Sequence, residues 1–104
     1  MSPHTDKPLL LFFTNGTSGP ARRMESLLAH LARKERARLR ISLVNADQNP
    51  EFMEKLGVTE IPTLVLIRDG RPVARLEGRA SAPQMEKMLA PHLPSLQPAE
   101  PAVA

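Results

Sequence analysis

Five apolar residues in an unbroken row, Leu9-Leu10-Leu11-Phe12-Phe13, constrain this chain more than any other stretch. A strand with one wet face alternates apolar and polar side chains, whereas a continuous run has to be covered on both faces. Gly16, Gly19 and Pro20 break the run at once. Thr17 or Ser18 is placed to cap a following helix, with Pro20 in its first turn, where a missing N–H costs nothing. Met24, Leu27, Leu28, Leu31 and Ala32 then recur at helical spacing, and Arg22, Arg23, Glu25, Arg33 and Lys34 fall largely off that stripe. His30 lies beside the stripe and is expected to pack. A buried strand running through a glycine-rich turn into an amphipathic helix is the opening unit of an α/β sheet. The junction, residues 12–23, is where such a sheet usually keeps its chemistry.

The rest of the chain continues the pattern. Leu39, Ile41, Leu43 and Val44 read as a second strand, and Asn45-Ala46-Asp47-Gln48 as its exit loop. Asn49 is an N-cap candidate for a short helix with Pro50 at its first position; Phe52, Met53 and Leu56 lie inside it and Gly57 ends it. Residues 63–68 form a third strand, Asp69-Gly70 a two-residue hairpin, and Val73, Arg75 and Glu77 a fourth strand with Pro72 at its start, which suits an edge. Gly78 ends that strand. Ser81 with Gln84 three residues on is a capping box for a last helix, whose buried face is Met85, Met88 and Leu89 and which Pro91 ends or kinks. The order is β-α-β-α-β-β-α. The expected architecture is a four-stranded mixed sheet with helices on both faces, its first two strands parallel and its last two antiparallel. At 104 residues and 41% hydrophobic, the chain fits one domain. Residues 1–7 read as a flexible leader, 8–93 as the domain, and 94–104, with three prolines, as a disordered tail.

Several classes of chemistry are excluded or disfavoured. The chain has no cysteine, which removes disulfide scaffolds, thiolate metal sites and thiol catalysis. His4, His30 and His92 show no metal-ligand spacing, so neither metal nor cofactor is expected. Net charge is only +3. Residues 33–40 hold five basic side chains in eight, but no aromatic residue accompanies them for base stacking; a solvated helix end is the better reading, and nucleic acid is not the expected partner. The polar N-terminus lacks a charged-then-apolar signal, and the Leu9 to Phe13 run is too short to span a bilayer. A cytoplasmic protein that does not enter the membrane is therefore expected, and the Asn15-Gly16-Thr17 sequon carries no weight.

Phe13, the Ser18-Gly19-Pro20-Ala21 turn, Asn45-Ala46-Asp47-Gln48-Asn49-Pro50, Gly57-Val58 with Ile61-Pro62-Thr63, Asp69-Gly70 and Gly78 come in an order and at spacings that resemble the thioredoxin family. The resemblance runs from about Lys7 to Leu93. It implies a minimal thioredoxin-like fold, without the first strand and helix of full thioredoxins. It also implies that two cysteines should flank the Gly-Pro pair, one as thiolate nucleophile and one to resolve the mixed disulfide. Ser18 and Ala21 occupy those positions, so no catalytic residue is expected. The family's buried Asp corresponds to Phe12, its Lys partner to Leu43, and the tryptophan before the first cysteine to Thr17. The site is dismantled as a whole.

What the resemblance leaves is binding. In the family, the backbone before a cis proline pairs with an extended partner segment, beside the cysteine turn. Carried over, this implies a groove for another protein or an extended peptide formed by Thr17, Ser18, Gly19, Pro20, Glu60, Ile61, Pro62, Gly78 and Arg79, with a cis Ile61-Pro62 bond. Strand addition of this kind needs no sulfur. The expected function is a redox-inactive, protein-binding or chaperone-like module. Other readings stay open. One is a glutathione- or anion-binding activity centred on Ser18, with Gly16, Thr17, Ser18, Arg22 and Arg23 as the anion site at the helix start; another is a regulatory binding protein like those of the clock-type KaiB family, which is also thioredoxin-like and works by protein binding.

Overall fold

Strand β1 (Leu9–Thr14) lies inside the sheet, as its apolar run requires, and the rest of the fold is arranged to cover it. The computed structural model describes residues 7–15 and 19–93; the turn at 16–18, the first six residues and the stretch from 94 lie outside them. In chain order the elements are β1, α1 (Gly19–Lys34), β2 (Arg40–Asn45), a 3-10 turn (Ala46–Gln48), α2 (Pro50–Leu56), β3 (Thr63–Arg68), β4 (Arg71–Glu77), α3 (Ala82–Leu89) and a second 3-10 turn (Ala90–His92). The sheet order is β2-β1-β3-β4, with β1 parallel to β2, and β3 antiparallel to both β1 and β4.

Alternation along β1 divides its side chains between two cores. Leu10 and Phe12 point to one face, where they meet Leu64, Leu66 and the apolar stripes of α1 and α3, namely Met24, Leu28, Leu31, Met85 and Leu89. Leu11 and Phe13 point to the other face with Val58 and Val65, and α2 brings Met53 and Leu56 against them. The Phe13 ring also meets Phe52 at 5.7 Å between centroids. Each fully buried Leu or Phe removes apolar area worth about 1.5–3 kcal/mol. A polar change at any of residues 10–13 would therefore open one core or the other.

The local signals act where expected. Asp69 and Gly70 both take positive φ, 55° and 77°, which is the two-residue hairpin geometry that matches strand twist. Ser81 and Gln84 form a complete capping box at the start of α3. Helix α3 stops before Pro91 and passes into the second 3-10 turn.

Three expectations are corrected. His30 is exposed and not packed. At about 100° per residue it sits roughly 110° from the centre of the stripe formed by Met24, Leu27, Leu28 and Leu31. Asn49 precedes α2 but makes no side-chain cap; its amide donates back to the Asn45 carbonyl at 2.8 Å, while Asn45 Oδ1 accepts from the Gln48 N–H at 3.1 Å. The exit from β2 is thus an Asn-capped 3-10 turn rather than an irregular loop.

The basic stretch after α1 is also only partly solvated. Glu35 is buried and bonded to Arg38 twice, Nε to Oε1 at 2.6 Å and Nη2 to Oε2 at 3.3 Å. This fork pins the α1–β2 connection beside buried Leu39. The neighbouring Lys34–Glu86 pair, 3.3 Å and half exposed on both sides, contributes little. Its hydrogen bond with Arg38 is the main reason that the Glu35 carboxyl is held below its ordinary value of 4.5, against the opposing effect of burial. A depressed folded value stabilises the fold above the unfolded pKa, and that stability is lost as pH falls through the folded one. Replacing Glu35 by Gln should cost about 1–2 kcal/mol at neutral pH and remove part of the acid destabilisation below pH 4.5. Urea midpoints of both proteins measured from neutral to acid pH check this, and parallel acid limbs would refute it.

Candidate functional site

The end of β1 and the start of β3 fix the groove. Phe13 pairs with Thr63, so Pro62 sits level with the exit of β1 that leads to the turn at 16–18 and into α1. Thr63 is fully buried and its Oγ1 donates to the Glu60 carbonyl at 2.7 Å, closing the 60–63 turn. The Gly78 N–H donates to the Pro62 carbonyl at 2.8 Å. Gly78 takes φ 81°, which lets the chain leave β4 sharply at that point. The Ile61–Pro62 bond is cis.

These bonds leave one residue open. The Glu60 and Pro62 carbonyls are taken, and Pro62 has no N–H. Among the described residues, the backbone N–H and C=O of Ile61 have no hydrogen-bonding partner. The Ile61 side chain packs against the core of Leu11, Phe13, Val58 and Val65. Glu60 and Arg79 flank it and are exposed. An unpaired donor and acceptor on one rigid residue are what an extended chain needs in order to add by main-chain bonds.

The structure thus brings Glu60, Ile61, Pro62, Gly78 and Arg79 together. Gly19, Pro20 and Ala21 are the first residues of α1. Gly16, Thr17 and Ser18 lie outside the described residues, and the cap and anion readings that depend on them go with them. Arg22 and Arg23 are exposed in the first turns of α1. No group of three or more His, Asp or Glu residues among those described could hold a metal. No described helix is long and apolar enough to cross a membrane.

A neighbouring feature was not legible in the sequence. An open cleft of about 320 Å³ lies against α2, lined by Ala46, Pro50, Met53, Gly57 and Val58 among others. Its wall is a helix C-terminus held by long-range contacts. Gly57, at φ 71°, donates to the Glu54 carbonyl, and Val58 donates to Met53 at 2.9 Å, a Schellman arrangement. Arg75 then reaches over from β4 and donates to the carbonyls of both Leu56 and Gly57 while pairing with Glu77 at 3.3 Å. The only sequence signal for that tie is Arg75 at an alternating position of β4, and it does not say which helix end the side chain reaches.

The two positions that the resemblance assigns to a charged pair behind the turn have a definite fate. Phe12 is fully buried between β1 and the α1 stripe. Leu43 is its direct partner on β2, so the two positions that the resemblance assigns to an Asp and a Lys are cross-strand neighbours occupied by two apolar side chains.

A four-stranded mixed sheet in this order, with a cis proline leading into β3 beside the exit of β1, defines a thioredoxin-class α/β domain. The thioredoxin family model matches residues 3–91, and the chain belongs to that family. It is 38% identical over 85 residues to a thioredoxin of Alicyclobacillus acidocaldarius, covering 82% of this chain and 81% of the relative. Among solved structures it is similar to the germline-specific thioredoxin Deadhead of Drosophila melanogaster, with TM-score 0.76 and 31% identity over 83% of this chain and 81% of that one. A thioredoxin mutant from Halobacterium salinarum shares the fold with TM-score 0.79 at 22% identity, covering 89% and 81% of the two chains.

The Arg75 tie is testable. Arg75→Ala should loosen the C-terminal turn of α2 by about 1 kcal/mol, and Gly57→Ala by about 1–2 kcal/mol because the left-handed backbone strains a Cβ. Hydrogen exchange of the Gly57 and Val58 amides should quicken in both variants while the β3 amides hold.

Proposed function

We propose that this thioredoxin-family protein binds extended polypeptide segments at the Ile61 edge and performs no thiol–disulfide exchange. The observation that supports the reading is that, among the described residues, the N–H and C=O of Ile61, between Pro62 and exposed Glu60, have no hydrogen-bonding partner. A ligand strand forms two main-chain bonds there, and the apolar α2 cleft upstream in the chain takes a side chain from it. Glu60 and Arg79 offer one charge of each sign at the rim, which favours no strongly charged ligand. The electron-transfer role is removed by composition, since a hydroxyl at Ser18 and a methyl at Ala21 cannot form or exchange a disulfide. Contact is what remains, in the cytoplasm and with protein partners, as a chaperone-like or regulatory module.

Titration of the labelled protein with S-carboxymethylated insulin B chain, followed by NMR, tests the reading. Shifts should centre on Ile61, Gly78 and Arg79, and Ile61→Pro, which removes the amide donor, should weaken binding at least tenfold with the fold intact by circular dichroism. Shifts elsewhere, or binding unchanged in that variant, would refute the groove. Catalysed insulin reduction by the purified protein would refute the redox-inactive part.

A further inference from the structure

The two edges of the sheet are treated very differently. Strand β4 carries three devices against edge pairing: Pro72, a register irregularity opposite Leu66/Ile67, and the charges of Arg71, Arg75 and Glu77. Strand β2 carries almost none. From Ile41 to Asn45 it has no charge and no proline, and only Arg40 at its start is ionised. Neither helix layer reaches over its middle, since Ser42 is exposed on one face and Leu43 is 55% exposed on the other. Leu43 is the most exposed large apolar side chain among the described residues, and it sits on a row of unpaired backbone groups.

We infer that the β2 edge pairs antiparallel with β2 of a second copy, joining two four-stranded sheets into one of eight strands. The flanking stretches of this sequence contain no segment whose composition matches β2 in length. Residues 1–6 contain Pro3, residues 94–104 contain Pro94, Pro98 and Pro101, and neither has a proline-free run longer than three residues to set against six in β2. Self-pairing fits the charge pattern. The registers that keep equivalent faces together centre on Ser42 or on Leu43. The first sets Leu43 against the partner's Ile41, the second against the partner's Leu43, and both keep the two Arg40 side chains apart. A parallel in-register pairing would put Arg40 beside Arg40, which costs energy. The blocked β4 edge prevents β2 from stacking on β4 of another copy, so the assembly closes as a twofold dimer and does not propagate as a fibre. The edge is separated from Ile61 by β1, so this inference stands whether or not Ile61 binds peptide.

Sedimentation of the 104-residue chain over a concentration series tests it. The expected result is a mass that rises to twice the monomer and no further. Leu43→Lys should abolish the dimer over the same range, while Val73→Lys, at an exposed apolar position of the blocked edge, should leave it. Because the chain has no cysteine, Ser42→Cys and Leu43→Cys each add a sole thiol, and the one at the centre of the register should give a disulfide-linked dimer on mild oxidation. These variants also decide the matter if Leu43→Lys proves misfolded by circular dichroism. A monomer at every concentration, growth beyond a dimer, or a dimer in which neither Ser42→Cys nor Leu43→Cys cross-links would each overturn the proposal.

Discussion

Double-sided burial of β1 is the constraint on which everything else depends. Leu10 and Phe12 require one helix layer and Leu11 and Phe13 the other, so neither layer can be lost without exposing half of the same short strand. That requirement places α1 and α3 on one face and α2 on the opposite one. It also fixes the groove, because the pairing of Phe13 with Thr63 sets Pro62 level with the end of β1. The candidate site is thus a consequence of core packing, and its geometry does not depend on any cysteine.

Local signals were legible wherever the physics is local. The Asp69-Gly70 turn, the Ser81–Gln84 box, the Gly57 stop and the limits of β3 rest on a few adjacent residues, and each appears as the sequence implies. What the sequence hid depends on distance or on accumulated angle. His30 needed a helical phase followed across two turns. The Glu35–Arg38 fork spans only three residues, yet it looked like part of a solvated basic run because Glu35 and Arg38 line a cleft with Glu86 and Leu89 of α3, some fifty residues away in the chain. Arg75 crosses 18 residues to hold the end of α2. Of the site, the resemblance supplied Glu60, Ile61, Pro62, Gly78 and Arg79; that the Ile61 backbone has no partner among the described residues could be seen only once its neighbours' carbonyls were found occupied.

Phe12 shows how the interior behind the site is stabilised. A carboxylate buried at that position would need a charged or hydrogen-bonded partner, and without one it costs several kcal/mol. A buried Phe at the same place instead contributes about 1.5–3 kcal/mol. In a chain with no thiol to deprotonate, an ionisable group there has nothing to offset its desolvation, and an apolar one joins the α1 stripe directly. The exchange converts a proton-handling position into packing.

The same exchange has a second effect one strand away. Leu43 faces the same side of the sheet as Phe12 and is its register partner, but α1 covers only the inner member of the pair. A Lys at position 43 would have given the β2 edge an inward-facing charge of the kind that blocks strand addition. Leu leaves that edge apolar and unguarded while β4 remains fully guarded. Neutralising both positions therefore does two things at once: Phe12 closes the interior that a redox site would have kept polar, and Leu43 opens a pairing edge. At the β1–β2 ladder, then, the apolar pair Phe12 and Leu43 joins the packing of the core at one end and leaves an apolar side chain on the sheet margin at the other.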